Sequence, residues 1–317
     1  MMKRSMLKLL FFGLAVLLIN SGCSNAAGNN KEDVQTSGEI SEVKTVAHEL
    51  GEAQITGIPK RIVALEYSFI DSLVTLGITP IGIADDNNPE SIIGPIKEKL
   101  GNYTSVGSRY EVNFELISSL KPDLIIGDIS RHKEVFARLE DIAPTLLLKS
   151  HGATYSENLS SFPVIAEALG KQEAAQQLLQ KHQETLDELK KSVPENEQRT
   201  ILPAVVNAKG FYAHTTQAYA GSLIEHIGLK DAIQSDEAYP QLTLEQLIEY
   251  NPDVLILMKS GTEETIVSEW SKNPLWEEVN AVKNNQVYEV DRGVWSLSRG
   301  IISAETIAKE LIALLYP

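Results

Sequence analysis

The chain has 317 residues, 43% of them hydrophobic, and 43 Asp and Glu against 28 Lys and Arg give it a net charge of −15. That length accommodates two domains with separate cores, and that charge argues against nucleic acid and anionic lipid headgroups as partners. Its one cysteine, Cys23, excludes an intramolecular disulfide framework.

At the N-terminus, Lys3, Arg4 and Lys8 precede an apolar run from Leu9 to Ile19. Those eleven residues fall short of the ~20 that span a bilayer as a helix. Ser21 and Gly22 then place small residues before Cys23. Residues 1–22 resemble a bacterial lipoprotein signal, removed before Cys23, whose thiol would carry the lipid; Asn20 stands where such signals usually have leucine. Removing 22 residues and their three cations leaves 295 residues at a net −18. Residues 23–44 are polar and aperiodic and read as a flexible tether; the resemblance to a lipoprotein signal implies that it lifts a folded body off the extracytoplasmic face of the cell membrane.

The first lobe is expected over residues 45–158. Ser72-Leu-Val-Thr-Leu-Gly77 reads as a helix end closed by glycine. Asn113 to Ile126 reads as an N-capped, two-turn amphipathic helix stopped before Pro122, then a buried strand from Leu124. The spacing predicts one helix over Lys171–Ser192, about 33 Å long, in a connecting segment at residues 159–193. On it, His182 is expected to be solvated. The second lobe, 194–317, opens with a strand at Ile201–Val206 and repeats the earlier patterns. Ser222–Gly228 echoes the first helix end, and Thr243–Ile256 aligns without a gap on Asn113–Ile126 at an offset of 130. Thr243 and Gln246 stand at capping-box spacing, and a last strand is predicted at Val287–Val290. The reading is an α/β chain of two Rossmann-like lobes with central sheets, joined by one long α-helix, with limited hinge motion.

Ligands of open α/β sheets sit beyond the carboxyl ends of the strands. Residues following the predicted strands are Asp128, Arg131 and His132, then Lys209, Tyr212 and His214, then Arg292, Trp295 and Arg299. Arg109 and Tyr239 lie 130 apart, each four residues before its repeated helix, in equivalent loops. Arg109, Arg131, Lys209, Arg292 and Arg299 make a cationic set with Tyr239 and His214 as donors and Trp295 as a packing surface. Guanidinium forks bind carboxylates bidentately, so the set points to a polyanionic ligand bearing carboxylates.

The duplication, the single connecting helix, and the pieces Arg61-Ile-Val-Ala-Leu65, Val106-Gly-Ser-Arg109, Leu120-Lys-Pro-Asp123, Leu139-Glu-Asp-Ile-Ala-Pro144 and Asn273-Pro-Leu-Trp276 carry a resemblance. Together, from about Thr45 to Leu315, they resemble the substrate-binding lipoproteins of ABC importers for iron–siderophore complexes and vitamin B12. The resemblance implies a monomeric binding protein that delivers a ferric chelate to membrane permease subunits powered by a cytoplasmic ATPase. It implies that Glu115 and Glu245, the second helical residues of the two repeats, dock onto permease arginines. Ser130-Arg-His-Lys133 looks like the branch that takes ferric citrate and citrate-based siderophores. Such a ligand is an Fe(III)–siderophore complex and no cofactor is implied; its own oxygens wrap the iron, so no direct metal ligand is required, and His214 or Tyr239 is the candidate to complete coordination.

Hydroxamate siderophores, haem and cobalamin are the alternatives within that family. The sequence contains no G-x-S-x-G, H-E-x-x-H, P-loop or G-x-G-x-x-G motif for an extracytoplasmic enzyme.

Overall fold

The computed structural model describes residues 42–262 and 264–317. The signal segment, Cys23 and the tether up to residue 41 lie outside the described residues. Within them, no helix is long and apolar enough to cross a membrane.

The folded body opens with an antiparallel hairpin, β1 (Val43–His48) and β2 (Gly51–Thr56). The sequence reading did not anticipate it. Val46, Ala53 and Ile55 turn inward, into the core of the first lobe. That lobe has a five-stranded parallel sheet, β3 (Ile62–Ala64), β4 (Gly82–Ile83), β5 (Thr104–Ser105), β6 (Leu124–Asp128) and β7 (Thr145–Leu148), in the order β5-β4-β3-β6-β7. Strand order therefore reverses between β3 and β6, and a crevice opens past their carboxyl ends at such a switch point. β6 and β7 are buried along their whole length, which explains the apolar runs Leu124–Ile126 and Leu146–Leu148.

The second lobe is a mixed sheet of β8 (Thr200–Asn207), β9 (Gly210–Ala213), β10 (Lys230–Asp231), β11 (Gln241–Leu242), β12 (Val254–Lys259) and β13 (Val287–Asp291). The order is β11-β9-β8-β12-β13, with β10 pairing beside the start of β8. β12 runs parallel to β8 and β13, whereas β9 is antiparallel to both neighbours.

The duplication is written into the backbone. Asn113 Oδ1 accepts from the Leu116 amide at 3.0 Å, and Thr243 and Gln246 close a full capping box. Both helices end on a left-handed residue before proline, Lys121 at φ 45° and Asn251 at φ 44°. The following aspartates then tie each repeat to an earlier strand. Asp123 Oδ2 accepts from the Lys60 and Arg61 amides, each at 2.9 Å, and Asp253 Oδ2 accepts from the Thr200 amide at 2.9 Å.

Two helices occupy the expected connecting region. The first, Tyr155–Ala168, is capped by Thr154 and Glu157; Gly170, at φ +63°, turns the chain into the second, Gln172–Lys190. Its 19 residues span about 28 Å, slightly less than predicted. His182 is not solvated: it is 1% exposed, with Nε2 2.8 Å from Tyr155 Oη and Nδ1 3.1 Å from Glu305 Oε1. Glu305 belongs to the C-terminal helix Ile301–Leu315, which packs along this face and hides the imidazole.

That C-terminal helix supplies a second tie between the lobes. Its N-terminus is capped by Asp71 of the first lobe, whose two oxygens accept from the Ile302 amide at 3.1 Å and the Ser303 amide at 3.0 Å. Burial raises the Asp71 carboxyl to about 6, and those two amide donors limit the rise.

Candidate functional site

A cavity of about 360 Å³ lies where the strand ends of the two lobes face each other. The first lobe contributes Tyr110 after β5, Arg131 after β6 and His151 after β7. The second contributes Val205 and Asn207 of β8, Tyr212 of β9, His214 just after it, and Tyr239 before β11. Arg292, Ser296, Leu297 and Arg299 follow β13 and complete the wall. Three lining residues are arginines and none is an acid, so this cleft is locally cationic within an acidic chain.

The segment after β13 explains how two arginines seven residues apart reach one cavity. Gly293–Leu297 winds as a wide π-helical turn, a feature concentrated at functional sites. Trp295 anchors it from behind, fully buried, with its Nε1 donating to Glu310 Oε2 at 2.7 Å. Arg299 then adopts the left-handed region at φ 37°, unusual for a residue with a side chain. Its guanidinium donates to Ser150 Oγ, at 3.3 Å from Nε and 3.2 Å from Nη2, and to the Ser296 carbonyl at 2.5 Å from Nη1. It thereby reaches across to the first lobe.

Beneath the arginines sits Glu66, which follows β3 and is 0% exposed. Arg109 Nη1 lies 2.8 Å and Arg299 Nη2 3.1 Å from its Oε1, and Arg131 Nη1 bonds its Oε2. Burial alone would raise this carboxyl; Arg299, Arg109 and Arg131 outweigh it and hold it at about 2. Arg131 also donates to Tyr110 Oη at 3.3 Å, with its guanidinium 4.8 Å from that ring.

Three rings form the opposite wall. His151 stacks on Tyr239 at 5.4 Å between centroids, and His214 tilts against the same ring at 4.7 Å. Both imidazoles are neutral. Burial, then Arg131 and Arg299, lowers His151 to about 4; burial, then Arg299 and Arg292, lowers His214 to about 3. His214 Nδ1 is buried without a hydrogen-bond partner among the described residues. The wall thus presents apolar faces and neutral donors or acceptors opposite a cationic floor. No group of three or more His, Cys, Asp or Glu among the described residues could hold a bare metal ion.

Of the residues expected here, Arg131, His214, Tyr239, Arg292 and Arg299 do meet in one cavity. Arg109 does not line it. It is 3% exposed, saturated by Glu66 and by Asp86, whose Oδ2 lies 3.0 Å from Nε and 2.7 Å from Nη2, and covered by the Tyr67 ring at 4.4 Å. Lys209 is also absent from the lining: the tight β8–β9 turn holds its amide against Asn207 Oδ1 at 2.7 Å, and it borders a separate hollow with Glu245. Trp295 packs in the core of the second lobe rather than in the wall. His132 braces Arg109 instead of facing a ligand: its Nδ1 accepts from the Asp128 amide at 2.9 Å, and its Nε2 meets the Arg109 carbonyl at 3.0 Å. Glu66, Tyr110 and His151 were missed. His151 follows β7, so the strand-end rule applied to Leu146–Leu148 would have found it.

Glu115 and Glu245 are exposed on their respective lobes, each at the second position of its helix.

A family model described as "Periplasmic binding protein" matches residues 62–293. The chain is 44% identical over 303 residues to the Fe(3+)-citrate-binding protein YfmC of Bacillus subtilis (strain 168), covering 96% of this chain and 95% of that protein. It is 38% identical over 273 residues to the Fe(3+) dicitrate-binding periplasmic protein FecB of Escherichia coli (strain K12), covering 86% and 90% respectively. Among solved structures, Staphylococcus aureus SirA complexed with staphyloferrin B matches with a TM-score of 0.76 at 27% identity, covering 86% of this chain and 98% of that one. The chain belongs to the periplasmic binding protein family.

Proposed function

We propose that this protein captures an anionic Fe(III) chelate of the citrate type between its lobes and hands it to an ABC permease for iron uptake. The observation that carries this reading is the convergence of Arg131, Arg292 and Arg299 on a cavity that no carboxylate lines. Each guanidinium offers a forked donor to a carboxylate, and Arg131 and Arg299, which share the single buried carboxylate of Glu66, leave net positive charge for an anionic ligand to meet. The 44% identity to a protein named for Fe(3+)-citrate supports the same ligand class. The ligand's oxygens would hold the iron, with His214 or Tyr239 within reach to complete its shell. Binding without chemical conversion is the expected activity, by a monomer.

Delivery would use Glu115 and Glu245, exposed and equivalent by duplication, as contacts for basic residues of the permease. Lipidation at Cys23 would hold the protein at the extracytoplasmic face of the membrane. Intrinsic fluorescence titration with ferric citrate, a ferric hydroxamate and haem tests the ligand assignment. Saturable quenching by ferric citrate at the lowest concentration is expected; tighter binding of the hydroxamate or haem refutes it.

A further inference from the structure

Three guanidiniums meeting in a buried place repel one another, and removing one partner of a buried ion pair is strongly unfavourable. Here the conflict is resolved unevenly. Arg109 has Asp86 as a second partner, so Arg131 and Arg299 share the Glu66 carboxylate. Those two arginines line the cavity, and they come from opposite lobes. Ser150 and the Ser296 carbonyl fix the plane of the Arg299 fork, and Tyr110 backs that of Arg131.

We propose that Glu66 is a positioning residue of the anion site: a built-in counter-ion that holds Arg131 and Arg299 at set separation and orientation across the lobes. Two cations sharing one anion leave the cavity with excess positive charge, which a ligand carboxylate completes. The carboxylate stays ionised throughout the physiological range, because its three arginines outweigh its burial.

A purely structural role is the competing explanation, since Glu66 also caps the helix Tyr67–Thr75 by accepting from the Tyr67 amide at 3.0 Å. Glu66→Gln keeps the shape and a capping oxygen but removes the charge. Glu66→Asp keeps the charge and shortens the reach. Ferric citrate affinity of wild type and both variants, measured by fluorescence titration, separates the roles; this arm rests on the proposed ligand. A positioning charge predicts that Glu66→Gln weakens binding at least about tenfold and more than Glu66→Asp does. Retention of affinity by Glu66→Gln equal to or better than Glu66→Asp overturns the proposal.

A second arm needs no chelate. Sodium formate added during thermal unfolding should raise the midpoint of Glu66→Gln more than that of wild type or Glu66→Asp, by supplying the missing negative charge between the arginines. An equal formate response in all three proteins also overturns the proposal. Wild type that ignores ferric citrate defeats the ligand assignment alone, and the formate ordering then decides the role of Glu66.

Discussion

At the scale of single residues, the cations of this cleft divide by burial and by whether they face the cavity. Arg109 is consumed by Glu66 and Asp86, whereas Arg292 lines the cavity and is only partly buried. Arg109→Met should therefore cost about 1–3 kcal/mol of stability, because half-buried Asp86 loses its guanidinium while buried Glu66 keeps only Arg131 and Arg299. Arg292→Ala should cost less stability than Arg109→Met, since the Arg109 side chain is the more deeply buried, while weakening chelate binding about 10–100-fold. Urea unfolding and calorimetric titration of both variants check the contrast. A second residue predicts a pH dependence. Burial raises the Asp231 carboxyl from 3.8 to about 8, and its Oδ2 has no hydrogen-bond partner among the described residues. Between those values the native state holds a proton that the unfolded chain has released, so stability falls as pH rises from about 4 to 8. Asp231→Asn should remove that slope and gain about 1–3 kcal/mol at pH 8, with no gain at pH 4. Urea midpoints across that range measure it.

At the scale of elements, the junction where the C-terminal helix meets the first lobe is a tight joint. A Cβ on Gly300 would stand 2.3 Å from Asp71 Cγ and 2.6 Å from its Oδ1. Gly300→Ala should displace the Asp71 cap and cost about 2–3 kcal/mol, read from urea unfolding. Elements with local signals were legible in the sequence. The capping residues Asn113 and Thr243, the prolines after each repeat, the apolar runs of β6, β8 and β12 and the β-branched Val287 and Val290 of β13 announce themselves within a few residues. The hairpin at Val43–Thr56 was not legible, because its short alternation of Val46, Ala53 and Ile55 gains meaning only against the core it covers. His182 misled for a related reason. Its neighbours Lys181 and Gln183 are exposed, and only the distant C-terminal helix buries it.

At the scale of the whole molecule, duplication and charge tell the main story. The offset of 130 marks a repeat shared by the two lobes, and the strand-end rule and the duplication together put five of the eight expected cleft residues in the cavity. Arg109, Lys209 and Trp295 lie outside the cavity because sequence position tells where a residue lies, not where its side chain points or what already satisfies it. Glu66 was invisible for the same reason: three partners converge on it from sequence distances of 43, 65 and 233 residues. Two ties, the helix Gln172–Lys190 and the Asp71-capped C-terminal helix, favour small closure over wide hinge motion. A crystal structure of the mature protein grown with ferric citrate tests the central claim most directly. The account predicts the chelate in the cavity between the lobes, its carboxylates within hydrogen-bonding distance of Arg131, Arg292 and Arg299. A chelate bound elsewhere, or held there with none of these arginines touching it, would contradict it.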